Sequence, residues 1–184
     1  QFFASASRQP WFQNTVFIIT GDHTQHSDQP KYKNHLGRFR VPLAIYVPGG
    51  AGAQWKGISQ RVTQHVDVAA TILDLLGIQA AGAAKPTLIS QFSQSIFTQA
   101  ETGRAFNYDG FGYWYVDDNY YLELHRLQQV IKIFTYQQLQ PPQLIQEIPI
   151  ATWFSLADPK QKRSVAHFLA VLQYFNNGLL GNRW

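Results

Sequence analysis

The amino-acid sequence predicts an α/β fold with mostly parallel, buried strands, then a small antiparallel sheet and a C-terminal helix. The unbroken apolar and β-branched run Val16–Thr20 is typical of a strand buried on both faces of a parallel sheet. Aromatic residues alternate between 106 and 136, as they do in antiparallel strands. Apolar residues at helical spacing between 165 and 175 indicate a helix that packs on a core.

The first half of the chain predicts two strands between two helices. In chain order, the predicted elements are the end of a helix at Phe2–Arg8, a strand at Val16–Thr20, a polar loop at Thr24–Leu36, a strand at Val41–Val47 and a helix at Val68–Leu76. Asp67 is a favourable N-cap for the second helix, and Gly77 lies where a left-handed residue commonly ends a helix. The loop is long enough to indicate an active-site loop.

The second half predicts a meander and a terminal helix. Two aromatic runs flank the turn at Asp117-Asp118-Asn119 and indicate a hairpin, and Val130–Tyr136 is expected to be the next strand. Asp158 and Pro159 are favourable N-cap and first residues for the last helix, which we expect to end near Gly178. We divide the chain into residues 1–100, the α/β core, and residues 101–184, the meander and terminal helix.

Composition excludes several classes of protein. Hydrophobic residues make up 45% of the 184 residues and aromatic residues 15%, which indicates a globular chain. No cysteine is present, so a disulfide framework and a thiolate metal site are excluded. We interpret the net charge of +4 as spread along the sequence, without a basic stripe, so we expect no nucleic-acid partner. No apolar run reaches the length of about 18 residues that a membrane span needs.

Asp22 and His23 carry the strongest chemical signal. They follow a predicted buried strand, and sites in open α/β sheets form beyond the carboxyl ends of such strands. A carboxylate and an imidazole are suitable ligands for Zn²⁺, Mn²⁺ or a similar divalent cation. Taken alone, the dipeptide is better explained by the end of a strand at which Asp22 caps a turn and His23 is solvated.

Three flanking segments add to this signal and resemble one family. The residues from Phe2 to Thr15, from Gly37 to Gly49 and from Gln64 to Gly77 occur in the order and spacing found in sulfatases and lipoteichoic-acid-synthase-like enzymes. Ala70 stands where those enzymes usually have proline. The resemblance covers about residues 1–90 and implies the alkaline-phosphatase-like (sulfatase) fold, of which this chain would be the C-terminal portion.

The resemblance implies that Asp22 and His23 are metal ligands. It further implies a metal-dependent enzyme that acts on sulfate or phosphate esters, in some branches lipid- or glycan-linked, through a covalent intermediate. The nucleophile and the other metal ligands would lie in an N-terminal half outside this chain. The metal would be Mn, Zn, Ca or Mg. A lipoteichoic-acid-synthase-like parent would be anchored in the cytoplasmic membrane with its catalytic domain outside, whereas this fragment would be soluble and inactive alone.

Three residues of the polar segment after the site are further candidates. His35 and Arg38 could bind the anionic group of the substrate, since an arginine holds a sulfate or phosphate in a bidentate manner. His26 could do the same, although a solvated loop histidine is the more common outcome. Arg38 could equally cover the edge of the sheet.

Two alternatives remain open. The chain could belong to a non-catalytic binding or sensing homologue that keeps the fold. The aromatic meander, with Trp114 at its centre, could instead be a carbohydrate-binding surface, although cross-strand aromatic packing explains the same pattern.

Overall fold

The computed structural model describes residues 1–24, 28–50, 52–78, 92–98, 102–125, 127–137 and 140–181. The chain forms two compact units, Gln1–Ser59 and Gln60–Trp184. The predicted division of the chain at residue 100 stays a prediction. None of the helices in the described ranges combines the length and apolar content that crossing a membrane requires.

Two short strands form the centre of the first unit. β1 is Phe17–Thr20 and β2 is Leu43–Tyr46. The two strands pair antiparallel, with Phe17 opposite Tyr46. Both strands lie where the sequence predicts them, but each is shorter than its apolar run because Val16 and Pro42 stay outside the ladder.

The predicted parallel and fully buried arrangement is not what these strands show. β1 and β2 are antiparallel, and Val16 and Ile19 are 43% and 47% exposed. A strand is buried on both faces only where other elements cover both of them. A β-branched run indicates a strand that tends to be buried, but it does not specify which element covers it or which strand pairs with it. The direction of pairing was therefore not predictable from the run itself.

Aromatic rings pack on one face of this strand pair. α1, Phe2–Ala6, and a short 3₁₀ helix, Phe12–Asn14, carry most of them. The ring of Phe17 lies 5.2 to 6.2 Å, centroid to centroid, from the rings of Phe2, Phe3, Trp11, Phe12 and Tyr46. Aromatic pairs at such distances add stabilisation beyond the area they bury.

A five-stranded antiparallel meander dominates the described part of the second unit. Its strands are β3 Arg104–Tyr108, β4 Gly112–Asp117, β5 Tyr120–His125, β6 Val130–Thr135 and β7 Leu144–Pro149, in that order across the sheet. The predicted hairpin and third strand are present. The first predicted strand is divided by a turn in which Asp109 accepts from the N–H groups of Phe111 and Gly112. β7 was not predicted because its polar residues interrupt the alternation.

Two helices belong to this unit: α3, Asp67–Leu75, and α4, Pro159–Gly181. α4 begins where predicted, since Asp158 accepts from the N–H of Lys160. It continues three residues beyond Gly178, because one glycine within a well-packed helix costs only about 1 kcal/mol. A 3₁₀ helix, Ile150–Ser155, connects β7 to α4.

The core of the second unit lies between one face of the meander and α4. Tyr115, Leu122, Ile131, Ile133, Val165 and Phe168 are each 1% exposed or less. The rings of Tyr115 and Phe168 stack at 5.7 Å. The meander aromatics therefore serve packing, and Trp114, at 9% exposure, is not a surface for stacking sugars.

Asp67 has a different role from the predicted N-cap. Its carboxylate accepts from the main-chain N–H groups of Gln64 and Gln94, and no side-chain cap bond is formed at the start of α3. Thr71, one turn later, accepts from the N–H of Ile96. The two side chains therefore hold residues 94–96 against α3. Gly77, with φ of 67°, follows the helix in the left-handed conformation, as predicted.

Candidate functional site

The side chains of Asp22 and His23 lie side by side just after β1. Oδ1 of Asp22 accepts from the main-chain N–H of His23 at 2.9 Å, and Oδ2 lies 3.4 Å from Nε2 of the imidazole. The side chains are 87% and 70% exposed, respectively. A dissolved ligand can therefore reach both functional groups at once.

The other imidazole nitrogen fixes which atom of His23 is available for binding. Nδ1 lies 3.1 Å from the carbonyl oxygen of Thr24. Both neighbouring oxygens only accept hydrogen bonds, but the carbonyl lies within the usual N–H···O range of Nδ1, whereas Oδ2 of Asp22 lies 3.4 Å from Nε2, beyond that range. We therefore assign the hydrogen of the neutral ring to Nδ1, and Nε2 keeps its lone pair. Histidines that bind metals commonly donate their second nitrogen to a carbonyl in this way.

The distance between the two side chains suits a shared cation. With ligand bonds of about 2.1 Å, two ligands of a tetrahedral Zn²⁺ lie about 3.4 Å apart. Nε2 and Oδ2 are separated by this distance. When the imidazole is neutral, Nε2 of His23 and Oδ2 of Asp22 are both acceptors and repel each other, so a positive ion in contact with both is favourable.

The described residues supply only part of a metal site. A complete first shell needs about four ligands. No group of three or more His, Cys, Asp or Glu side chains converges in the ranges that the structure describes. His26, the nearest further candidate in sequence, lies outside those ranges. Asp22 and His23 can thus hold two of the positions around a cation.

The two predicted anion-binding residues lie on one short helix. α2 is His35–Arg38, and the 3₁₀ helix Pro30–Tyr32 precedes it, so part of the predicted polar loop is folded. Asn34 caps α2 by accepting from the N–H of Gly37 at 2.8 Å. His35 and Arg38 are both exposed.

Gly37 allows these two helices to approach closely. It is buried, and a Cβ added there would clash with the carbonyl oxygen of Lys31 and with Cα of Tyr32. Any larger residue would push the two helices apart. The chain around α2 is therefore held by packing as well as by the cap.

Thr24 joins α2 to the Asp22–His23 turn. Its hydroxyl donates to the carbonyl oxygen of Arg38 at 2.6 Å, across 14 residues of sequence. This contact was missed by the sequence analysis because a threonine after a strand usually caps its own turn, and no local pattern indicates a partner so far along the chain. The structure thus brings the main chain of Arg38 to the residue next to His23.

The net positive charge of the protein lies in the first unit. Residues 1–59 contain six Lys and Arg and two Asp, which gives +4, the net charge of the whole chain. Four of these cations, Lys31, Lys33, Arg38 and Arg40, flank or belong to α2. The description of the charge as spread along the chain is therefore wrong. A concentration of positive charge attracts anionic ligands.

One buried carboxylate with an altered pKa, Asp67, belongs to the fold and not to a site. Burial raises the pKa of Asp67, although the hydrogen bonds from Gln94 and Gln64 act in the opposite direction. Altered pKa values often mark functional sites. Here the hydrogen bonds to the carboxylate come from main-chain N–H groups of its own unit, so its position is explained by structure alone.

Comparison with known proteins agrees with the resemblance. Residues 1–78 match the sulfatase family. The chain superposes on a crystal structure of a protein in the alkaline phosphatase superfamily from Vibrio parahaemolyticus with a TM-score of 0.60 and 17% identity. The match covers 96% of this chain and 39% of that one, so the chain spans well under half of its structural relative. No curated protein matches it.

Proposed function

We propose that this chain contributes one part of the catalytic site of an enzyme acting on sulfate or phosphate esters, since residues 1–78 match the sulfatase family and the chain superposes on a protein of the alkaline phosphatase superfamily. In this proposal Asp22 and His23 are two of the metal ligands. The observation that carries it is the 3.4 Å separation of Oδ2 of Asp22 and Nε2 of His23, together with the hydrogen bond that Nδ1–H of His23 donates to the carbonyl of Thr24.

The fit of the residues to a divalent cation supports the metal proposal. A bound cation would polarise a sulfuryl or phosphoryl oxygen as a Lewis acid. The chain's own contribution is to hold a carboxylate and an imidazole lone pair side by side, with the tautomer of the ring set by the carbonyl of Thr24. Both side chains are largely exposed, which leaves room for a substrate and for further ligands.

We further propose that α2 binds the anionic group of the ester. Arg38 provides a guanidinium that can hold two oxygens of a sulfate or phosphate, and His35 provides a second donor on the same helix. Lys31 and Lys33 raise the local positive potential, although Lys33 also lies 3.5 Å from Asp28. The bond from Thr24 to Arg38 supports this role because it anchors the end of the helix beside the proposed metal ligands.

The nucleophile and the remaining metal ligands would belong to a segment N-terminal to these residues in a longer parent. The structural relative is longer than this chain, which covers 39% of it. A threonine nucleophile would indicate a phosphotransferase like lipoteichoic acid synthase, anchored in the membrane and acting on a lipid- or glycan-linked substrate. A formylglycine would indicate a sulfatase. Manganese is one of the metals that the ligand set would accept.

The test begins with the intact mass and N-terminal sequence of the natural protein, followed by the metal content of its longest form. In that form, Asp22→Ala and His23→Ala should each abolish hydrolysis of an aryl sulfate or phosphate ester and lower the bound metal. Asp28→Ala is the matched control, since Asp28 is an exposed carboxylate of the same unit that pairs with Lys33. Wild-type turnover in either ligand variant would overturn the site assignment.

A non-catalytic homologue is the competing proposal. It would keep the fold and the Asp22–His23 pair but would lack both bound metal and a nucleophile in the parent sequence. The same metal analysis distinguishes the two proposals, because an enzyme of this class should retain its metal through purification.

A further inference from the structure

Thr24 is bonded to both parts of the proposed site. Its carbonyl oxygen lies 3.1 Å from Nδ1 of His23, and its hydroxyl lies 2.6 Å from the carbonyl oxygen of Arg38. We infer that Thr24 is a positioning residue that holds His23 in its metal-binding tautomer and couples the imidazole to α2. For metal binding this inference rests on the proposed function, whereas the tautomer is a property of the metal-free chain.

The main-chain carbonyl of Thr24 restrains the imidazole of His23. The orientation of its carbonyl group decides whether Nδ1 of His23 finds an acceptor. Both neighbouring side chains, Asp22 and His23, are largely exposed, so little packing fixes the imidazole from outside. The hydrogen bond to the Thr24 carbonyl is thus an important restraint on the tautomer of the ring.

The side chain of Thr24 is itself held by α2. Its hydroxyl bond of 2.6 Å lies at the short end of the range for O–H···O bonds. The acceptor belongs to the last residue of α2, a helix that is capped by Asn34 and packed closely at Gly37. A firmly held acceptor restrains the donor, so α2 holds Thr24 and Thr24 in turn orients His23.

The inference gives the side chain of residue 24 a defined chemical requirement. The hydroxyl on the β-carbon is the group that donates to the Arg38 carbonyl, so serine, which keeps it, should replace threonine and valine should not. Valine has nearly the same shape as threonine but lacks the donor. A role limited to filling space would give the opposite result, with valine accepted better than serine.

Thr15 provides a matched control in the same unit. Its hydroxyl donates to the carbonyl oxygen of Trp11 at 2.8 Å, so it makes the same kind of side-chain to main-chain bond. It precedes β1, whereas Thr24 follows it. Thr15→Val therefore removes an equivalent hydrogen bond without touching the Asp22–His23 turn.

The experiment uses the longest form of the natural protein, in which the remaining metal ligands would be present, with Thr24→Val, Thr24→Ser and Thr15→Val. Nitrogen-15 NMR of the metal-free protein, at a pH where the imidazole is neutral, gives the ratio of the two His23 tautomers. We expect Thr24→Val to lower the ratio of the Nδ1–H form to the Nε2–H form by up to about fivefold, the bias that one ordinary hydrogen bond supplies. Calorimetry with Mn²⁺ alone should show affinity about tenfold weaker, as for loss of other partners behind a metal ligand. Thr24→Ser and Thr15→Val should match the wild type in both measurements.

Each outcome has a separate meaning. An unchanged tautomer ratio in Thr24→Val, or a valine-like ratio in Thr24→Ser, would overturn the positioning role. If the wild type binds no Mn²⁺ but the tautomer shifts as expected, the positioning role holds and the proposed metal site fails. If the wild type binds Mn²⁺ and Thr24→Val binds it equally well, the coupling fails while the metal site stands. Thr24→Ala gives the same tautomer test should the valine variant not fold.

Discussion

Oδ2 of Asp22 faces Nε2 of His23 across 3.4 Å, while Oδ1 of the same carboxylate accepts from the main-chain N–H of His23. The carboxylate thus binds its neighbour through one oxygen and presents the other beside the imidazole lone pair. This division of the two oxygens keeps the pair aligned before any ligand arrives. Alignment in advance lowers the entropic cost of binding.

The first prediction separates the charge of Asp22 from its shape. Asp22→Asn keeps the size of the side chain and can still accept from the N–H of His23, but it removes the negative charge. We expect Mn²⁺ affinity to fall at least about tenfold, because carboxylate oxygens bind a divalent cation far better than amide oxygens. Calorimetry on the longest form of the natural protein measures the effect, because Asp22 and His23 would be only two of about four ligands. Asp28→Asn should leave the affinity unchanged, and equal affinity in both variants would rule out a ligand role for Asp22.

The second prediction concerns anion binding by α2. Arg38→Ala should weaken binding of inorganic sulfate or phosphate about tenfold, because a charge-assisted bidentate contact is lost. Arg38→Lys should recover only part of it, since lysine lacks the planar pair of donors. Arg8→Ala, which removes a cation from the same unit near α1, is the control. Isothermal titration at two salt concentrations gives both affinity and screening. Equal losses for Arg8 and Arg38 would indicate a general charge effect.

The sequence predicted the positions of β1 and β2 better than it predicted how the two strands pair. Val16–Thr20 and Val41–Val47 both contain strands, because turn residues bound each apolar run. Their antiparallel pairing depends on the path of the chain through residues 28–42, where two short helices and the close approach at Gly37 decide the direction. Such contacts are not written in the periodicity of either strand.

The candidate site shows the same division. Asp22 and His23 could be selected as candidates because a carboxylate and an imidazole follow one strand, and Arg38 because a guanidinium can hold a sulfate or phosphate. The link between them could not, since the hydroxyl of Thr24 and the carbonyl of Arg38 are 14 residues apart and carry no shared pattern. Local motifs indicate which groups are present, whereas tertiary contacts decide how they are joined.

The third prediction concerns the acid dependence of the second unit. The hydroxyl of Tyr120 donates to Asp158 at 2.7 Å, and this bond, together with the N–H of Lys160, lowers the pKa of Asp158 below its ordinary value. A lowered pKa means that the stabilisation is present above the unfolded-state value near about 4 and is lost as the pH falls through the folded-state value.

Tyr120→Phe should raise the pKa of Asp158 toward the ordinary value. The stability difference between wild type and variant should then be largest near neutral pH and should shrink below about pH 4. Carbon-13 NMR of the carboxyl group and urea unfolding at several pH values measure both quantities. Tyr174→Phe, which removes a hydroxyl from a half-exposed ring on α4, is the control and should change neither. An unaltered Asp158 titration in Tyr120→Phe would contradict the assigned cause.

The fourth prediction tests the packing of α4 on the meander. Phe168 is fully buried and stacks on Tyr115, so Phe168→Ala should lower the free energy of unfolding of the second unit by about 3–5 kcal/mol through lost burial and a cavity. Leu180→Ala, on the same helix but 89% exposed, should cost less than about 0.5 kcal/mol. Urea unfolding followed by tryptophan fluorescence measures both, since Trp114 and Trp153 lie in this unit. A loss at Leu180 as large as that at Phe168 would mean that the outer face of the helix is covered in solution, because only a buried side chain leaves a costly cavity when it is removed.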